Sequence, residues 1–256
     1  VFVDLLCRLQ EWFLDETTEA GNRQGKMRPG FEVVKQAILG CIPQADGIRY
    51  DSNFKQIVLS IDGKAQPFDN LSAGQKMMLA LVADIAMKAV TQNAFLLPSD
   101  QLGPADFPVP RILQQTPGVI LIDELDVHLH PIWQRRVASD LKRTFPAMQF
   151  VCTSHSPQVI GEVQPEEIRI LNLDNQVESP AQSFGMDSNW ILDVLMQGQE
   201  RNLQVEEQIK QIFQLIAAKK LDQAEAEISA LESEIGKSKE TTKAHATIRR
   251  IKLLGK

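Results

Sequence analysis

The chain has 256 residues and a mass of 28.7 kDa, and 43% of its residues are hydrophobic, which is enough to bury the interior of a large domain. A formal net charge of -6 excludes an overall basic surface, so any contact with nucleic acid must come from a local patch. No apolar run is long enough for a membrane helix, and no signal pattern is present, so we expect no membrane partner.

The cysteines indicate a reducing compartment. Cys7, Cys41 and Cys152 show no metal-ligand spacing and cannot all pair with one another. We therefore predict a cytoplasmic protein with reduced thiols.

Apolar spacing and turn residues predict four elements before residue 70. They are a core-facing helix, a short helix and two strands, over residues 1–14, 31–39, 48–50 and 56–61. The polar stretch 15–30 predicts a loop, and Asp62-Gly63 predicts a turn that closes the second strand.

The middle of the chain predicts an α/β core. A helix over 73–90 is apolar almost all round and should be buried, and the proline-rich stretch 98–117 predicts a surface loop. The continuous apolar run 119–122 is typical of a central parallel strand covered on both faces. An amphipathic helix over 133–144 and a second central strand over 149–153 imply a right-handed crossover connection. A further strand, 168–173, is predicted to complete the core.

The last part of the chain predicts helices only. They cover residues 190–196, 205–218 and 221–235. The fold class is therefore α/β, with a mostly parallel central sheet flanked by helices and an all-helical C-terminal appendage. The predicted domains are 1–189 and 190–256. The appendage is either a surface for a partner or a second copy, or a helical cap.

The C-terminal tail is the one basic cluster of the sequence. From Lys237 onward it carries seven lysines and arginines against a single acidic residue, Glu240. Such a tail can contact DNA or RNA, but a solvated and partly disordered end is the default expectation.

Adjacent carboxylates end the first central strand, in the segment Gly118-Val-Ile-Leu-Ile-Asp123-Glu124. Open α/β sheets bind ligands at the carboxyl ends of their strands. Asp123 can there hold Mg²⁺ through water, while Glu124 polarises an attacking water. The alternative is a buried strand that ends in two solvated acids.

Small and polar residues precede the long buried helix, in the segment Leu71-Ser72-Ala73-Gly74-Gln75-Lys76. Small residues let a phosphate approach the backbone, and a helix N-terminus presents free N–H groups to it. The same residues also form a capping box, because Gln75 follows Ser72 by three positions. The two interpretations are compatible.

A histidine follows the second central strand, in the segment Phe150-Val-Cys-Thr-Ser-His155-Ser-Pro157. Next to Asp123 and Glu124 in the sheet, His155 could bond a γ-phosphate or the attacking water. A lone histidine is more often structural, but its order and spacing relative to the other two segments argue against that here.

Together the three segments resemble motifs of ABC-type ATPases, in the branch that contains the recombination, chromosome-structure and overcoming-lysogenisation ATPases. Leu71 to Gln75 is similar to the LSGGQ signature, with Ala73 in place of one glycine. The resemblance implies that Asp123 is the magnesium ligand, Glu124 the catalytic glutamate and His155 the switch histidine. It also implies ATP and Mg²⁺ as cofactors. The nucleotide-binding residues implied are Ser72, Ala73, Gly74, Gln75 and Lys76.

The stretch after Glu124 resembles the D-loop of the defence branch of this family. Its residues are Leu125, Asp126, Val127, His128, Leu129, His130 and Pro131. A metal site built from His128 and His130 competes with this interpretation, but the D-loop also accounts for Leu129 and Pro131.

A phosphate-cradling P-loop of the form Gly-x-x-x-x-Gly-Lys-Ser/Thr is missing from the sequence. In the family it lies upstream of the motifs seen here. We therefore expect an N-terminal lobe with the P-loop in the same polypeptide. A full-length product without that motif would be a degenerate ATPase that does not hydrolyse ATP.

The resemblance further implies a head-to-tail homodimer, in which Ser72 and Gly74 of one subunit close on the nucleotide of the other. Over residues 31–193 the sequence is most similar to the ATPases of Septu and retron-associated anti-phage systems. Those ATPases work with an HNH nuclease, and in retrons with a reverse transcriptase and its RNA and DNA. The alternatives are a DNA-repair ATPase of the recombination-mediator type and, less favoured, a transporter ATPase subunit.

Overall fold

The structure, a computed structural model, describes residues 2–93, 110–171, 176–198 and 202–254. The chain forms two compact units, Val1–Ser188 and Asn189–Lys256. Each unit has its own cluster of buried apolar side chains. The predicted class is confirmed: the first unit is α/β and contains a parallel strand pair, and the C-terminal region is helical.

Helices of the first unit surround its core. They are α1 (Phe2–Asn22), α2 (Pro29–Cys41), α3 (Ala73–Asn93), α4 (Arg111–Gln115), α5 (Pro131–Thr144) and α6 (Pro157–Ile160). Short 3₁₀ turns occur at Phe68–Asn70 and Pro165–Glu167. The aromatic rings of Trp12, Phe13 and Phe31 pack against one another where α1 meets α2.

Helix α1 is longer than the sequence predicted. The loop expected from residue 15 begins only after Asn22. The reason is that Glu16 and Ala20 continue the buried stripe of Leu9 and Phe13 at helical spacing. The buried carboxylate of Glu16 is paired with the guanidinium of Arg28 at 2.6 Å, which permits an acid on the core face.

An antiparallel sheet forms one side of the first unit. Its strands, in the order β1-β2-β3, are β1 (Ala45–Asp51), β2 (Gln56–Ile61) and β3 (Lys64–Pro67). Asp62 and Gly63 have φ angles of 50° and 71°, the left-handed pair that a two-residue hairpin requires. The predicted turn is thus confirmed, and it leads into β3, which the sequence did not predict.

The parallel pair consists of β4 (Gly118–Ile122) and β5 (Met148–Cys152), joined through α5. Ile120, Ile122 and Phe150 pack against the core. The opposite face is exposed, with Leu121 at 76% and Val119 at 62% relative exposure. The prediction that 119–122 is covered on both faces is therefore wrong within the described residues. A strand alternates its side chains, so an apolar residue at every position does not show which face is covered.

Two further differences concern predicted loops and strands. Helix α4 lies within the proline-rich stretch that was predicted as a loop, while residues 94–109 lie outside the described part of the chain. Strand β6 (Ile170–Leu171) pairs antiparallel with β7 (Val177–Glu178) in a sheet of their own. The strand predicted at 168–173 does not extend the parallel pair, so the expectation that it completes the core is wrong. Residues 172–175 lie outside the described part.

The second unit is a set of helices. They are α7 (Ser188–Trp190), a π-helical turn (Ile191–Leu195), α8 (Leu203–Ala217), α9 (Leu221–Ile235) and α10 (Lys239–Leu254). Ile212, Ile216, Ile228, Leu231 and Ile248 form its core together with Ala224 and Ala244. The tail that was expected to be solvated and partly disordered is the helix α10, because Ala244 and Ile248 dock it onto α8 and α9. Across the described residues, no helix is both long and apolar enough to span a membrane.

Candidate functional site

The carboxyl ends of β4 and β5 bring three of the predicted site residues to one edge. The parallel register places Ile122 opposite Cys152, so Asp123 and Thr153 follow at neighbouring positions. The hydroxyl of Thr153 donates to Oδ1 of Asp123 at 2.5 Å and accepts from the backbone N–H of Glu124 at 2.7 Å. Asp123, Glu124 and His155 are all exposed. An accessible pair of carboxylates thus lies beside the strand that leads to His155.

Glu124 has a strained backbone. Its φ angle is +53°, in the left-handed region that residues with a side chain seldom adopt. Hydrogen bonds hold it there, because Thr153 binds its N–H and the next amide, Leu125 N–H, donates to the Thr153 carbonyl at 2.9 Å. Strain that the surroundings enforce in this way is characteristic of functional sites and costs on the order of 1–3 kcal/mol.

Asp126 joins the predicted D-loop to the turn that carries His155. Its Oδ1 accepts from the Ser154 hydroxyl at 2.6 Å and from the His155 backbone N–H at 3.2 Å. This one oxygen therefore connects the predicted D-loop to the backbone of His155.

Gln134, at the start of α5, extends this network. Its side-chain amide donates to the carbonyls of Asp126 and Leu129, both at 3.0 Å, and its Oε1 accepts from the Ser156 hydroxyl at 2.8 Å. Ser156 in turn caps α6 by accepting from Gln158 N–H. The Gln134 side chain therefore connects three segments: the loop that carries Asp126 and Leu129, helix α5, and the turn after β5.

The two D-loop histidines have different local roles. His130 caps α5, with Nδ1 accepting from Ile132 N–H at 3.3 Å, whereas His128 is exposed and has a φ angle of +63°. Leu129 between them is buried. Over the described residues, no group of three His, Cys, Asp or Glu side chains is arranged to hold a metal ion.

The predicted capping box is present at the start of α3. Gln75 N–H donates to the Ser72 hydroxyl at 3.2 Å, and Ser72 N–H donates to Oε1 of Gln75 at 2.8 Å. Ser72 and Ala73 remain exposed. The Lys76 side chain binds the turn that precedes α3. Its Nζ donates to the Asp69 carbonyl at 3.1 Å and lies 5.3 Å from the Phe68 ring centroid.

Gly74 places the start of α3 directly against the D-loop. A Cβ atom at this position would overlap the carbonyl oxygen of His128 and come within 3.2 Å of its carbonyl carbon. Only a glycine allows this approach. The exposed residues Ser72 and His128 therefore lie on two segments that pack against each other at Gly74.

This arrangement has the donor set that a nucleotide-bound Mg²⁺ requires. Mg²⁺ binds proteins through one or two carboxylates and keeps several waters. Asp123 offers an exposed carboxylate with one oxygen fixed by Thr153, so the residues fit the ion. The sequence did not single out the residues that orient this site, which are Thr153, Ser154, Ser156 and Gln134. The available signal was the row of hydroxyl residues at the end of β5.

Comparison with known proteins identifies the relatives of this chain. Residues 48–161 match a family model described as AAA domain, putative AbiEii toxin, Type IV TA system. The Retron Ec83 probable ATPase of Escherichia coli is 30% identical over 168 residues, which cover 66% of this chain and 28% of that protein. The Retron Vc95 probable ATPase of Vibrio cholerae serotype O1 biovar El Tor is 41% identical over 103 residues, covering 40% and 17%.

The chain is also similar to a Septu protein and, weakly, to one solved structure. The Septu protein PtuA of Bacillus mycoides (strain KBAB4) is 30% identical over 146 residues, which cover 57% of this chain and 18% of that protein. A solved SMC ATPase, from work on ATP-driven dimerization and DNA-stimulated activation, aligns with a TM-score of 0.40 and 18% identity, covering 65% of this chain and 91% of that one. The chain thus spans less than a third of the length of each of these sequence relatives.

Proposed function

We propose that this chain, which is similar to the retron and Septu ATPases and matches an AAA-domain model over residues 48–161, is the part of an ATP-hydrolysing enzyme that carries the catalytic glutamate. In this proposal the enzyme works as a head-to-tail homodimer in the cytoplasm and controls a partner nuclease in bacterial anti-phage defence.

The observation that carries the proposal is the cluster at the ends of β4 and β5. Asp123 and Glu124 are both bonded to Thr153, and Asp126 is bonded to the backbone of His155. This cluster lies where parallel α/β sheets bind ligands.

Each residue has a role that follows from its chemistry. When bound with ATP, Mg²⁺ neutralises the charge that develops on the transferred phosphate. Asp123 would hold the ion, and Glu124 would accept a proton from the attacking water. His155 donates a hydrogen bond to the γ-phosphate. The left-handed backbone at Glu124 sets the direction in which its side chain leaves the end of β4.

A lobe that carries the P-loop completes the site in this proposal. The exposed apolar face of β4 and β5, with Val119, Leu121 and Val151, is the surface that such a lobe would cover. Isolated two-stranded sheets with one bare apolar face are marginal in water. The greater length of the relatives is in keeping with further chain beyond this segment.

The first test is hydrolysis by the full-length protein. Glu124→Gln keeps the size of the side chain but removes the base, so ATP binding should persist while turnover falls by a factor of about 10² or more. His155→Ala should slow turnover with little change in folding. Hydrolysis by Glu124→Gln at the wild-type rate would contradict the assignment.

The second test is ATP-dependent dimerisation. In the Glu124→Gln protein, which traps ATP, light scattering should show a dimer with ATP and a monomer without it. Ser72→Arg should prevent this dimer, because a large side chain blocks the surface formed by Ser72 and His128. Ser233→Arg, an exposed serine of the second unit, is the matched control. Dimers that are insensitive to Ser72→Arg would contradict the head-to-tail arrangement.

The partner is tested by copurification. The full-length ATPase should copurify with an HNH-type nuclease whose gene lies next to its own. In a retron locus it should also copurify with the reverse transcriptase and its RNA and DNA. Recovery of recombination proteins in place of a nuclease would support the DNA-repair alternative and contradict the defence proposal.

A further inference from the structure

Helix α10 segregates its charges by face. At 100° per residue, Lys239, Lys243, Arg249 and Arg250 fall within an arc of roughly 120°. Ala244 and Ile248, which are buried, lie on the opposite side of the helix. All four basic side chains are exposed. We call these four residues the α10 basic face. Over its length of ~16 Å the face also carries Thr242 and Ala246 but no acidic residue.

The acidic residues of α9 serve a different flank of α10. Lys252 Nζ lies 2.8 Å from Glu225 and 3.9 Å from Asp222, and His245 Nε2 lies 3.6 Å from Glu232. These pairs face the α9 side. Within the described part of the chain, no ion pair or side-chain hydrogen bond neutralises the four residues of the α10 basic face. Their charges are therefore exposed to solvent.

Helix stability does not account for this pattern. Cations stabilise the C-terminal end of a helix and destabilise its N-terminal end. Arg249 and Arg250 are near the favourable end. Lys239 is the first residue of α10 and Lys243 lies one turn later, at the unfavourable end. A row of cations that includes both ends is better explained by a ligand along the whole helix.

The composition of the face selects the class of ligand. Protein interfaces have an apolar, often aromatic centre, and interfacial membrane helices insert a wide apolar face. The α10 basic face has no aromatic residue and no wide apolar surface: Ile248 and Ile251 point into or toward the unit's own core, and the exposed Leu253, one turn beyond Arg249 on the same side, is a single apolar residue at the end of the face. Lysines and arginines spread along one side of a helix, with small residues between them, suit a row of phosphates.

We propose that the α10 basic face binds the phosphate backbone of nucleic acid, without dependence on base sequence. The chain as a whole is acidic, so the contact is confined to this patch and is strongly dependent on salt. The binding needs neither ATP nor the site at β4 and β5, and the inference therefore stands or falls separately from the proposed ATPase.

The test measures fluorescence anisotropy of labelled 20-mers with the 256-residue chain, using duplex DNA, single-stranded DNA and single-stranded RNA. Four phosphate contacts predict a slope of about -3.6 for log K against log salt on duplex DNA, or roughly 150-fold weaker binding at 200 mM than at 50 mM salt. A slope of about -2.8 is expected for single strands. The ratio of the affinities identifies the form of nucleic acid that is preferred.

The decisive variant carries Lys239→Gln, Lys243→Gln, Arg249→Gln and Arg250→Gln. It should bind at least about tenfold more weakly at 50 mM salt, with a slope close to zero. The control removes four lysines that are already ion-paired: Lys35→Gln, Lys88→Gln, Lys142→Gln and Lys210→Gln. Both variants have the same net charge, so the control should keep the wild-type slope. Circular dichroism at 222 nm verifies that both are folded.

Three outcomes would overturn the inference. They are an absence of binding by the wild-type chain at 50 mM salt, an equal loss in both variants, and binding of poly-glutamate as tight as that of nucleic acid with the same number of charges. The last result would assign the face to an acidic protein partner instead.

Discussion

The hydroxyl of Thr153 contacts both acidic residues at the end of β4, Asp123 through its carboxylate and Glu124 through its backbone amide. It donates to Asp123 and accepts from the amide of Glu124. One hydroxyl therefore orients the proposed magnesium ligand and stabilises the strained backbone of the proposed base.

Replacement of Thr153 by valine keeps the shape of the side chain and removes both hydrogen bonds. A hydrogen bond to a charged group contributes about 1.5–3 kcal/mol, so the Mg²⁺ concentration for half-maximal hydrolysis by the full-length protein should rise about tenfold or more. Thr153→Ser should restore the wild-type value, because it keeps the hydroxyl. Equal behaviour of the valine and serine variants would show that the hydroxyl has no such role.

Gly74 and Gly21 form a matched pair of helical glycines. Gly74→Ala would place a methyl group against the carbonyl of His128, and overpacking of this kind costs about 1–3 kcal/mol. Gly21, in α1, has no neighbouring atom within 4 Å of an added Cβ, so Gly21→Ala should stabilise the chain by about 0.5–1 kcal/mol. Urea denaturation measures both changes. Stabilisation by both substitutions would show that the D-loop is not packed against Gly74.

At the scale of elements, the contact between α2 and α5 is close enough to bury a thiol. Cys41 Sγ lies 3.2 Å from the Thr144 hydroxyl, and Gly40 lies beside Thr144 as well. Burial raises the pKa of the Cys41 thiol to about 12. Cys7, on α1, is exposed.

The two thiols should therefore differ strongly in reactivity. The thiolate is the nucleophile, and with a pKa of about 12 roughly one Cys41 side chain in ten thousand is a thiolate at pH 8. Cys41 should therefore react with a disulfide reagent only after the protein unfolds. Cys7 should react within seconds to minutes. Absorbance of the released thiol in native and denatured protein gives the comparison, with the Cys7→Ser, Cys152→Ser double variant as the control in which Cys41 is the remaining thiol. Fast labelling of Cys41 in the native state would mean that α2 and α5 are not packed in solution.

The elements differ in how well the sequence predicted them. The start of α3 is fixed by local chemistry, because the capping box of Ser72 and Gln75 is formed by neighbours in sequence. Strands β4 and β5 were predicted within a residue of their bounds, since short apolar runs between turn signals are typical of strands. Helix α10 was missed because Ala244 and Ile248 give it only a narrow apolar stripe, and its stability comes from packing on α8 and α9.

At the scale of the whole molecule, the exposed face of β4 and β5 is where we propose that the rest of the ATPase docks. Leu121→Thr tests this, because threonine keeps a high strand propensity and removes the apolar side chain. In the 256-residue chain the free energy of unfolding should change by less than about 0.5 kcal/mol. In the full-length protein it should fall by about 1–3 kcal/mol, the contribution of a buried leucine.

The core substitution Leu79→Ala is the control for this comparison. Leu79 is fully buried in α3, so the substitution should cost about 2–5 kcal/mol in both the chain and the full-length protein. If Leu121→Thr has the same small effect on the 256-residue chain and on the full-length protein, the proposed lobe does not cover the exposed face of β4 and β5.

The assembly of the candidate site shows what each level of structure contributes. The residue types of the site, their order and the strands that end in them follow from the sequence, because strand propensity, turn chemistry and helix caps depend on neighbours along the chain. The contacts of Thr153 with Asp123, of Asp126 with His155 and of Gly74 with His128 depend on the tertiary structure alone. Their partners are separated by 29 residues or more, and only the parallel register and the packing of α3 bring them within hydrogen-bonding or contact distance.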